Sequence, residues 1–131
     1  MKISLLVMTA VIEAGAGLAF MISPSTAVMF LLGSSLDSPA GLILGRIAGA
    51  ALLALGIASW LARHDAESRP AAGLIIAILL YNSAAVLLLV VAGVFSGLVG
   101  IFLWPAVILH ASMPFGASHT FGAHKDLEDK V

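Results

Sequence analysis

Four long apolar runs constrain this chain more than anything else in it. They cover residues 3–22, 40–62, 71–92 and 98–113, and few charges interrupt them. A helix needs about 20 apolar residues to cross a hydrocarbon core roughly 30 Å thick. The runs lack the strict alternation of barrel strands, so helices are the spanning form they allow. The expected fold is all-α, an integral membrane four-helix bundle. Residues 1–114 form a four-span domain, and residues 115–131 form a polar cytoplasmic tail. Composition agrees: 61% of residues are hydrophobic and 10% are charged, which excludes an ordinary soluble enzyme. A net charge of −1 offers no basic field for nucleic acid. The chain has no cysteine, hence no disulfide, thiolate metal site or thiol nucleophile.

Proline marks the ends of the runs. Pro24, Pro39, Pro70 and Pro114 lie at their edges, where a missing backbone N–H does least harm. Pro105 lies inside the fourth run and is expected to kink it. In the first loop, Ser23 reads as an N-cap, Pro24 as the first helical residue and Gly33 as a stop. A short helix over the apolar residues 27–32, at the outer membrane interface, is the expectation. Glu13 interrupts the first run, so that run reads as a retained span and not as a cleaved leader. Lys2, Arg63, Arg69, Lys125 and Lys130 all fall on one side of a four-span chain. By the positive-inside rule both termini are then cytoplasmic.

A few polar residues inside the runs are the candidate site. Glu13 is a carboxylate in a helix that should cross lipid, so it must face protein or water. Thr9, Ala10, Ala16 and Gly17 surround it at helical spacing and let another helix come close. Arg46 interrupts the second run beside a ridge of Gly41, Gly45 and Gly49. Measured from the presumed outer helix ends, Glu13 and Arg46 lie at roughly 13 and 10 Å depth. An ion pair between them is expected. Asn82 should lie near the same depth and bond one of them. His110 should lie too deep to join, and Trp104 nearer. Two arrangements remain open. The polar residues either form a buried knot that fixes helix order or line a small cavity open to the outer face. No cofactor is expected, since a b-type haem needs two axial ligands and one histidine lies inside the runs. The chain has no complete set of nucleophile, base and oxyanion stabiliser, so an enzyme is not expected.

Glu13, Gly15, Gly17 and Leu18, then Pro24, Gly33, Gly45, Arg46, Gly49, Leu55, Gly56 and Trp60, form a pattern of glycines and polar marks. With Asn82, Trp104, Pro105 and His110, it resembles the small bacterial four-helix membrane proteins of the DoxX-like superfamily. The resemblance covers about residues 9–113 and implies a four-helix bundle of the bacterial cytoplasmic (inner) membrane. It supplies no activity and no catalytic residue. Glu13 alone is also similar to the single membrane glutamate of small multidrug resistance transporters, but Arg46 would neutralise it. The expectation is a non-enzymatic inner-membrane protein with a Glu13–Arg46–Asn82 polar site. It would bind a small ligand, a membrane protein partner or a second copy of itself in the lipid bilayer. A proton-coupled multidrug-type transporter using Glu13 is the alternative.

Overall fold

The computed structural model describes residues 2–113. Within them the chain is all-helical: α1 is Lys2–Ile22, α2 is Pro24–Leu32, α3 is Pro39–Ala62 and α4 is Arg69–Phe95. A single 3-10 turn, Arg63–Asp65, follows α3, and α5 is Leu103–Met113. Three of these, α1, α3 with its 3-10 extension, and α4, are long and apolar enough to cross a membrane. The expected tail, 115–131, lies outside the described residues.

Serine and proline start the helices. Ser38 accepts a hydrogen bond from the Gly41 N–H, and Ser68 accepts one from Ala71. Each satisfies a donor that the helix itself leaves unpaired. Proline follows in the first turn of both helices. Ser23 departs from this scheme. It precedes α2, but its hydroxyl donates to Thr26 Oγ1 at 2.7 Å instead of capping the backbone. Gly33 ends α2 with φ of 72°, a left-handed conformation open to glycine at little cost.

The fourth run departs from expectation. Its helix begins at Leu103, after an irregular stretch that contains Gly97 at φ of 66°. Pro105 therefore falls in the first turn of α5 and introduces no kink, because no intrahelical donor is needed there. The same stretch is tied to α2. Phe102 N–H donates to the Phe30 carbonyl at 2.9 Å, and the Phe30 and Phe102 rings meet edge to face at 5.9 Å. A side chain at Gly100 would run into the backbone of Phe30 and Leu31.

The closest packing is between α1 and α3. A Cβ on Gly49 would come within 2.8 Å of the Gly17 carbonyl oxygen and the Met21 nitrogen. One on Gly56 would stand 2.7 Å from the Ala14 nitrogen. Glycine lets the two backbones touch, which in lipid gives van der Waals and weak C–H···O contact without a hydrophobic driving force. The expected glycine ridge is divided. Gly49 meets α1, Gly45 packs on Pro24 of α2, and Gly41 lies against Ser38 and Leu36. At the end of the bundle carrying the α3–α4 turn, Leu6, Ile75 and Ile78 form a filled core with Ala66. Lys2 closes that end by pairing with Glu67 at 2.6 Å. Elsewhere the long helices turn large apolar side chains outward, Leu80 being 72% and Leu44 65% exposed. Apolar surface on this scale suits lipid and not water.

Candidate functional site

A cavity of about 540 Å³ lies between α1, α2, α4 and α5. Its walls are small or apolar: Ala16 and Ala19 from α1, Ala84, Ala85 and Leu88 from α4, Ala106 from α5. Ala27, Phe30 and Leu31 place α2 across one end. The other end is polar, where Glu13, Tyr81 and His110 line the cavity together. The volume is within the roughly 300–1,000 Å³ typical of small-molecule sites, which pair apolar walls with a few convergent polar groups.

The polar end is built by three helices. Glu13 is 2% exposed and lines the cavity together with Tyr81. The Tyr81 and His110 rings pack edge to face at 5.8 Å. Behind them Asn82, also buried, donates from Nδ2 to the Ile78 carbonyl at 2.7 Å. Its Oδ1 lies 2.6 Å from His110 Nδ1. Tyr81, His110 and Asn82 thus join α4 to α5, and Glu13 of α1 lines the same cavity. Among the described residues no cluster of His, Asp and Glu could hold a metal ion.

The expected ion pair is corrected. Arg46 is exposed and has no ion-pair partner among the described residues. The reason is register. Gly17 lies against Gly49 and Leu53, and Ala14 against Gly56, so α3 begins well beyond the end of α1. That offset puts Arg46 roughly ten residues, or ~15 Å, from the level of Glu13. Depths counted from flush helix ends miss it. Arg46 instead lies level with the start of α2, since its neighbour Gly45 packs on Pro24.

Asn82 bonds neither Glu13 nor Arg46; its partner is His110. His110 was expected too deep, yet it lines the cavity with Glu13. Because α5 starts at Leu103, His110 is only about seven residues, ~10 Å, into its helix. Trp104 does not join: it is 45% exposed and lies beside Gly93 of α4. The residue that sequence reasoning passed over is Tyr81. A lone tyrosine mid-way along an apolar run, far from the interfaces where tyrosine is common, was the available signal.

No protein-family model matches the chain, and no curated protein or solved structure is similar to it at a meaningful level.

Proposed function

We propose that this chain is a multi-pass protein of a bacterial cytoplasmic membrane that binds a small lipophilic ligand in the cavity between α1, α2, α4 and α5. The observation that carries the reading is the pairing of apolar walls with one polar end built from Glu13, Tyr81 and His110. A buried polar group facing an apolar space in lipid is costly unless something uses it. The role is binding and not catalysis. In this reading the chain is DoxX-like, and α5 with its irregular approach forms a fourth crossing. The placement of Lys2, Arg63 and Arg69 supports both termini in the cytoplasm, and α2 then lies at the outer interface.

The probe is naphthalene, added to protein in lipid nanodiscs and followed by saturation-transfer NMR against empty nanodiscs. Saturable binding to the wild type and its loss in Ala85→Phe, which fills the cavity, are expected. Equal signals from wild type and variant would overturn the reading.

One observation favours a second reading. Glu13 has no cationic partner among the described residues, which removes the main objection to a proton-coupled transporter. In that reading substrate arrival drives a proton from the protein of reconstituted vesicles, and Glu13→Gln abolishes the release.

A further inference from the structure

Resting on that binding reading, the hydrogen-bond inventory of the polar end specifies its ligand. Asn82 decides the matter. One atom of its amide lies 2.7 Å from the Ile78 carbonyl oxygen, and two oxygens do not hydrogen-bond without a proton between them. That atom is therefore the NH₂ group, which orients the amide. The other atom, Oδ1, is an acceptor and lies 2.6 Å from His110 Nδ1. Nδ1 must then carry the proton and donate. In a neutral imidazole with a protonated Nδ1, Nε2 holds a lone pair. Nε2 has no hydrogen-bond partner among the described residues, and His110 lines the cavity.

The other two groups add to the same imbalance. Tyr81, edge-on to the His110 ring, brings one O–H, which can donate to an ionised Glu13 on the lining of the same cavity. The phenolic oxygen keeps acceptor capacity, as does the second oxygen of an ionised Glu13. With Glu13 ionised and the Tyr81 O–H turned to it, acceptors outnumber donors at this end of the cavity. The other lining residues are alanine, leucine, isoleucine and phenylalanine, whose side chains carry no donor.

We infer that the cavity selects a lipophilic molecule whose head group donates a hydrogen bond, an alcohol or an amine, to His110 Nε2 beside Glu13. Asn82 is the positioning residue: it touches no ligand but fixes which histidine nitrogen accepts. A site built to receive a donor discriminates against the isostere that lacks one, because its own buried acceptors then stay unpaired. Alcohol and amine share this chemistry, and Glu13 distinguishes them, since an ammonium gains from its charge and a hydroxyl gains less.

The test compares naphthol, its methyl ether and naphthylmethylamine on wild-type protein in nanodiscs, with the ¹⁵N signal of His110 recorded in parallel. Naphthol should bind about tenfold more tightly than the ether. The unprotonated Nε2 resonance should shift on adding naphthol and not on adding the ether. His110→Phe should remove the preference while both compounds still bind. Asn82→Ala should blur it, with the ¹⁵N spectrum reporting a mixture of tautomers. A larger gain for the amine that disappears in Glu13→Gln identifies an ammonium as the preferred head, and an equal gain for naphthol identifies a hydroxyl. Equal affinity of naphthol and ether would overturn this inference and leave the binding reading standing. Failure of all three compounds to bind would overturn both. The wild-type comparison needs no variant, so a misfolded substitution cannot decide the outcome.

Discussion

The two sides of α1 use the same small residues to opposite ends. Toward α3, Ala10, Ala14 and Gly17 meet Gly49 and Gly56, and the backbones themselves are in contact. Toward α4 and α5, Ala16 and Ala19 face Ala84, Ala85 and Ala106 across an open space. A small side chain permits close approach, but it brings helices together only if the opposite surface is equally flat and nothing props them apart. On the first side both partners carry glycine. On the second, bulky Phe20, Leu88 and Leu109 stand around the alanines as spacers. A small-residue face is therefore a seam or a cavity depending on its partner.

The largest predicted effect tests that contrast directly. Gly49→Leu would drive a side chain into the Gly17 carbonyl and the Met21 nitrogen, neither of which can move without shifting α1. Overpacking of this kind costs about 1–3 kcal/mol, read as a lower melting temperature in detergent. Ala85→Leu adds the same kind of bulk to the cavity wall and should cost well under ~1 kcal/mol. Equal losses would mean that the two faces are packed alike.

A middle-sized effect is expected at the polar end, which hydrogen bonds and not close packing hold in place. Asn82→Leu removes the acceptor for His110 Nδ1 and leaves a half-buried donor unpaired, at a cost of about 1–2 kcal/mol. His110→Phe in the same background should cost little more, since the partner is already lost. The coupling from the double-mutant cycle should be about 0.6 kcal/mol, the average of interhelical hydrogen bonds measured in membranes, and at most about 1.7 kcal/mol. Independent losses would separate α5 from α4 at this level.

The division between what the residues disclosed and what they hid follows from the kind of information each signal carries. Hydropathy sets length, so α1, α3 and α4 were legible, and Pro39 and Pro70 marked the starts of α3 and α4. The short α2 was legible from Pro24 and Gly33. Axial offset was not, because apolar residues are interchangeable against lipid and no pattern says which turn of α1 meets which turn of α3. The site suffered from that gap. Glu13, Asn82 and His110 stood out singly as polar residues in apolar runs, but their grouping depended on register and on where α5 begins. Gly97 and Gly100 hold that start back to Leu103 through a left-handed turn and a close approach to α2. Neither constraint shows as a change in hydropathy, so His110 reads as too deep, just as the hidden axial offset of α3 makes Arg46 read as too close.

The smallest predicted effect is the one most sensitive to this register. If Glu13 and Arg46 paired, each single substitution would strand the other charge in the membrane, and the double variant would recover part of the loss. The register set by Gly17 on Gly49 and Ala14 on Gly56 keeps them roughly ten residues apart, ~15 Å along the axis. Residues that far apart with no shared partner behave independently to within about 0.5 kcal/mol. Glu13→Gln keeps the size of the side chain and one acceptor oxygen and should change the melting temperature little. Arg46→Leu removes an exposed charge near the start of α2 and should change it less. Melting of both single variants and the double variant in detergent should therefore give additive shifts. A coupling clearly above that margin would require α3 to slide along α1 by about three turns. The same slide would pull Gly49 away from Gly17, and with it the seam on which the contrast between the two faces of α1 depends.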